Sequence, residues 1–136
     1  MGAGAQEHYE AGITASFAMY GAEAQASNFY GAGNPYEYTG NFAEKLEKIG
    51  VQKWAEMMSI QNIEAFFEIN RTGYPMYEVY DGNAVTPGNI TYSLSSVLGA
   101  GRTPKRLLFA DISTSRNANS PAQPAGGLGA PVWWDQ

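Results

Sequence analysis

The composition of the chain changes near Gly73, and that break limits what the chain can fold into. Up to that point Ala-rich sequence carries apolar residues at helical spacing. Beyond it Gly, Pro, Ser, Thr and Asn dominate, the composition of turns, short strands and extended backbone. The expectation is a mainly α chain, helical over 1–73 and irregular and partly extended over 74–136. Its 136 residues suffice for one modest domain.

In the first part, Tyr9, Ile13, Phe17 and Tyr20 recur at spacings of four, four and three, which predicts a helix from Ala5 to Tyr20 with one apolar face. A short second helix is predicted over 22–30, before the turn residues Gly31, Gly33, Asn34 and Pro35. Asn41 followed three residues later by Glu44 has capping-box spacing and starts a third helix. Its apolar stripe is Leu46, Ile49, Gly50, Trp54, Met57 and Met58, with Glu44, Lys45, Glu47 and Lys48 outside. Ser59 is a candidate cap for a fourth helix over 60–70 with Ile63, Phe66 and Phe67 inward, stopped by Thr72-Gly73-Tyr74-Pro75.

The second part is sparser. Met76 to Tyr80 alternates as a strand would and runs into an Asp81-Gly82-Asn83 turn, and a further turn is predicted over Thr86–Asn89. Lys105 to Ile112 contains the apolar run Leu107-Leu108-Phe109. From Ser113 to Pro131 the only apolar anchor is Leu128, and the chain then reaches Trp133 and Trp134. Burying two such rings at ~25 cal/mol per Å² would contribute several kcal/mol, so the tail is expected to lie along the helices with the tryptophans as its clasp.

Large apolar side chains are few: Leu, Ile, Val and Phe together number 24, and Tyr, Trp and 19 Ala supply much of the remaining apolar volume. A net charge of −5 argues against nucleic-acid binding, which needs a basic surface to replace phosphate counterions. With no cysteine there is no disulfide, thiolate metal site or Cys nucleophile, and the single His8 cannot form a multi-histidine zinc centre. No cofactor is expected. His8 has no nucleophile or carboxylate tied to it by spacing and reads as a surface residue. Glu64 and Glu68 share a helix face, which admits a glycosidase carboxylate pair as a distant alternative, although such pairs usually come from different elements. A solvated edge, or a partner for Arg71, is the plainer reading. Tyr74, Tyr77, Tyr80 and Tyr92 lie in the irregular part, where flat rings with polar tips suit sugar faces or simply plug loops.

Taken in order, Tyr9-Glu10-Ala11-Gly12-Ile13-Thr14-Ala15-Ser16-Phe17, Gln52-Lys53-Trp54, Glu64-Ala65-Phe66-Phe67-Glu68 with Arg71-Thr72-Gly73-Tyr74-Pro75, Pro104-Lys105-Arg106-Leu107 with Asn117 and Asn119, and Val132-Trp133-Trp134-Asp135 resemble the C-terminal third of the SusD/RagB family. Asn70 replaces the first Arg of the usual Arg-Arg-Thr-Gly-Tyr-Pro, and Phe109-Ala110 stands where an aromatic-Pro is common. The resemblance implies a C-terminal portion, residues 1–136, of a SusD-like fold built on tetratricopeptide-like helix pairs. It implies a lipoprotein on the outer-membrane surface, anchored through an upstream cysteine, which captures glycans and delivers them to a TonB-dependent SusC-like transporter without catalysis. It assigns scaffold roles to Trp54, Arg71, Gly73, Pro75, Trp133 and Trp134 and no ligand contact. The alternative for this segment is a structural, partner-docking role with no ligand site of its own, accompanied by an exposed apolar patch or self-association.

Overall fold

A computed structural model describes residues 4–99 and 101–134. Asp135 of the last resemblance motif, and Met1, lie outside the described residues. The helices run α1 Ala5–Met19, α2 Ala26–Tyr30, α3 Phe42–Ile60, α4 Asn62–Thr72 and α5 Asp111–Arg116, with a two-stranded sheet of β1 Tyr77–Glu78 and β2 Ile90–Thr91. The protein is mainly α, as its helical periodicity implies. No described helix is long and apolar enough to cross a membrane.

The chain divides into two compact units, Met1–Met76 with Val85–Ile90, and Tyr77–Ala84 with Thr91–Gln136. The first contains α1 to α4. Its core is Tyr9, Ile13 and Tyr38, against which Ala5, Phe17, Phe29, Tyr30 and Ile49 pack. Aromatic rings replace missing aliphatics there: Tyr9 meets Tyr38 at 5.0 Å between centroids, Phe17 meets Phe29 at 5.3 Å, and Phe29 stacks on Tyr36 at 4.5 Å. Burial and the neighbouring tyrosines push the Tyr9 hydroxyl up to about 12, and it donates to the Tyr36 carbonyl at 2.8 Å. The apolar stripe of α1 ends sooner than its spacing predicts. Tyr20 falls just past the helix and is exposed.

The α3 start is capped as Asn41 and Glu44 foretell. The Asn41 side chain accepts from the Ala43 and Glu44 amides at 2.9 and 3.1 Å, and Glu44 Oε2 accepts from the Asn41 amide at 2.6 Å. At the other end the expected cap is displaced. Ser59 lies inside α3 and donates to the Glu56 carbonyl, and the single residue Gln61 separates α3 from α4. The inward edge of α4 also differs from expectation. Ala65, Glu68, Ile69 and Asn70 are buried, whereas Ile63 is 57% exposed and Phe67 is on the outside. Glu68 lies on this buried edge with Ala65 and Ile69, its carboxylate turned toward α3 to meet Lys53.

The second unit has no fully buried side chain among its described residues. Asp81 Oδ1 accepts from the Asn83 amide at 2.9 Å, closing the expected turn, and the Tyr92 amide donates to the Glu78 carbonyl. The α5 helix has no counterpart in the sequence reading, which saw only the apolar run before it; Leu107 and Leu108 of that run are exposed. Trp133 and Trp134 depart from their expected burial. Their rings meet edge to face at 5.4 Å, and Trp133 is 80% exposed.

Candidate functional site

The sequence candidates fall into separate surroundings. Glu68 is the most constrained. Lys53 Nζ donates to its Oε1 at 2.8 Å, Arg71 Nη2 to Oε1 at 2.7 Å, and Arg71 Nε to Oε2 at 3.0 Å. The Arg71 hydrogen bonds, aided by Lys53 and opposed by burial, lower the Glu68 carboxyl to about 2. A group so firmly ionised cannot hold the proton a glycosidic acid must deliver. Both its oxygens are already bound by cations, which makes Glu68 the partner of Arg71 that the plainer reading expected. Glu64 itself is exposed.

The segment after α4 is tightly fixed. Gly73 takes the left-handed conformation, φ 75°, that a helix C-terminus favours, and its amide donates to the Ile69 carbonyl. Thr72 Oγ1 donates to the Glu68 carbonyl and accepts from the Tyr74 amide. The Tyr74–Pro75 bond is cis, and Pro75 is fully buried. Trp54 is half-buried on α3.

Of the four tyrosines, Tyr74 is occupied by packing against Gly50 of α3. Tyr77 and Tyr92 stack on each other at 5.0 Å, and burial raises the Tyr77 hydroxyl. Tyr80 is 52% exposed. The structure therefore brings one pair together, ring to ring.

The described residues of the helical unit enclose a groove and a smaller cleft. The larger, about 1130 Å³, runs between α1 and α3 over Tyr9, Ile13, Phe17, Ile49 and Met57, a mostly apolar lining. A hydrogen bond from Ser16 to Glu56 joins the two helices there, and Glu64 and His8 also line it. The groove continues the apolar stripe of α1, so its floor was visible in the sequence.

The smaller is a cleft of about 200 Å³ where three segments converge: Pro35 and Tyr36, then Glu44, Glu47, Lys48 and Val51, then Pro87 and Gly88. Its walls are held from behind. Tyr36 is stacked on Phe29, and its carbonyl accepts from Tyr9. Lys48 Nζ donates to the Glu37 carbonyl at 2.6 Å and the Thr39 carbonyl at 3.0 Å, fastening the loop that carries Tyr36 to α3. The Thr86–Asn89 turn is closed by the Asn89 amide on the Thr86 carbonyl, and Gly88, at φ 90°, sits over Val51. Glu47 is half-buried as a residue, and its carboxylate makes no hydrogen bond or ion pair with the described residues. No spacing rule pointed here, because the three segments meet only after folding. Glu47 read as one more charge on the outer face of a helix.

Among the described residues no group of three His, Cys, Asp or Glu side chains could hold a metal ion. No curated protein and no solved structure matches the chain. A SusD-like family model, described as starch-binding associating with outer membrane, matches residues 1–92, which include all four helices of the first unit. Pro104–Leu107 and Val132–Asp135, which also carry the sequence resemblance, lie beyond the matched residues. The family is one of binding proteins rather than enzymes. With a match across two thirds of its length and the helical architecture to go with it, the chain belongs to the SusD-like family of starch-binding, outer-membrane-associated proteins.

Proposed function

We propose that this chain takes part in the non-catalytic capture of starch or a related glycan at the cell surface and in its delivery to a TonB-dependent SusC-like transporter, the protein being lipid-anchored through an upstream cysteine. The observation that carries this reading is the family match over residues 1–92, which takes in the whole helical unit. The engagement of both Glu68 oxygens by Lys53 and Arg71 supports binding without hydrolysis. Of the four tyrosines, Tyr80 has the most accessible ring for a sugar face. Affinity electrophoresis against a glycan panel at two ionic strengths tests the proposal. Neutral sugars release few counterions, so retardation by starch should survive added salt. Retardation abolished by salt, or absent with every glycan, overturns it.

A second reading, that the segment docks a protein partner and has no ligand of its own, is favoured by the open apolar groove between α1 and α3. It predicts concentration-dependent self-association in sedimentation velocity and no response to any sugar. A monodisperse monomer with glycan affinity would exclude it.

A further inference from the structure

We propose that the cleft between the Pro35-Tyr36 loop, the first turns of α3 and the Pro87-Gly88 turn is a subsite for a single neutral sugar residue, with Glu47 accepting hydrogen bonds from its hydroxyls. The inference rests on the glycan-capture reading and gives it a location.

Size comes first. About 200 Å³ is the room taken by roughly seven waters. That suits one pyranose ring, free or as one unit of a longer glycan, and excludes a folded peptide segment. The lining has the two elements a sugar needs. Pro35, Tyr36, Val51 and Pro87 offer C–H and ring surface for the apolar face of a pyranose. Glu47 offers two acceptor oxygens, suited to a pair of adjacent hydroxyls.

Two of the other charged groups are already engaged, and this narrows the ligand's chemistry. Glu44 is held by the Asn41 amide. Lys48 is held by the Glu37 and Thr39 carbonyls. What is left free is the Glu47 carboxylate, together with the second oxygen of Glu44 and the Tyr36 hydroxyl. Carboxylates repel phosphates, sulfates and acidic sugars. So few oxygens also fall short of the six to eight a calcium ion gathers. A neutral polyol, all of whose hydroxyls can donate, is what remains.

The walls are also pre-organised. The Lys48 clamp, the Phe29–Tyr36 stack and the closed Thr86–Asn89 turn fix each of the three segments before any ligand arrives. A site held ready in this way loses less ordering entropy on binding.

The test is an amide chemical-shift titration of the isotopically labelled full chain with glucose, maltose and maltoheptaose, at low and high salt. It is done on the parent and on Glu47→Ala and Glu47→Gln, with far-UV circular dichroism confirming that each variant is folded. The expected result is perturbation of the amides of Tyr36, Glu47, Val51 and Gly88 by all three sugars. Glu47→Ala should weaken affinity by about tenfold or more, the scale of a hydrogen bond to a charged group, and Glu47→Gln should weaken it less. Saturable shifts elsewhere, with Glu47→Ala unchanged in affinity, overturn the subsite and leave the glycan-capture reading standing. No shift anywhere in the parent with any of the three sugars overturns the subsite, and it leaves the broader reading to the glycan panel, which includes other sugars.

Discussion

Gly50 of α3 lies directly against Tyr74, the residue before the buried Pro75: a methyl group at position 50 would sit 2.9 Å from Tyr74 Cβ and 3.3 Å from Cδ2. A Cβ cannot rotate out of the way, so the helix and the ring would have to part. Alanine gains ~1 kcal/mol over glycine in a helix interior, but overpacking of this kind costs about 1 to 3 kcal/mol. Gly50→Ala is expected to lower stability by about 1 kcal/mol in urea unfolding. Gly12, in the middle of α1, meets nothing within 4 Å of an added Cβ. Gly12→Ala is therefore expected to raise stability by up to ~1 kcal/mol. Two identical substitutions, both in helices, should move the midpoint in opposite directions, and shifts of the same sign would contradict the packing.

Glu68 gives the acid limb of the stability profile. Its carboxyl is lowered from 4.5 in the unfolded chain to about 2 by Arg71 and Lys53. A depressed carboxyl contributes stability that is fully present well above 4.5 and is lost as pH falls through that value toward 2. Lys53 and Arg71 are both more than half exposed, so water screens part of the attraction and the contribution is about 1 to 2 kcal/mol. Glu68→Gln should cost that amount at pH 7 and flatten the decline between pH 5 and 2. A variant as acid-labile as the parent would show that other groups govern the limb.

The Asn41 cap closes two of the open amides at the α3 start. Asn41→Ala is expected to cost about 1 kcal/mol, and Asn41→Asp, which keeps the acceptor and adds favourable charge near a helix N-terminus, close to nothing. Thermal unfolding of the pair measures both. An equal loss in the two variants would remove the cap as the cause.

Trp133 and Trp134 lead to an expectation opposite to the clasp. With Trp133 80% exposed and Trp134 43% exposed, removing residues 132–136 should change unfolding free energy by less than ~0.5 kcal/mol. It should also leave emission from Trp54 alone, reporting the unfolding of α3. A loss of several kcal/mol on truncation would restore the clasp.

The helical unit was largely legible because its signals are local. The Asn41–Glu44 spacing, the left-handed Gly73 and the Tyr9–Ile13 repeat each act within one or two turns, and each is found where its chemistry places it. Failures began where a choice depended on a distant partner. The inward edge of α4 follows Glu68 toward Lys53, fifteen residues away, and an apolar count favoured Ile63 and Phe67 instead. The cleft needed three segments to meet. The tryptophans misled for another reason: transfer energies say what burial would contribute, but not that a given ring is buried, and Trp133 is 80% exposed.

One residue, Gln61, is all that joins α3 to α4. The Lys53–Glu68 and Gly50–Tyr74 contacts straddle it almost symmetrically, so the chain doubles back there with no slack. Adding or deleting a residue within the helices between Lys53 and Glu68 would turn what lies beyond it by about 100°, carrying the Glu68 carboxylate away from Lys53. Length variation among relatives should therefore collect in the loops around 31–40 and 79–89 and spare the hairpin, whose helices behave as one indivisible stretch of sequence.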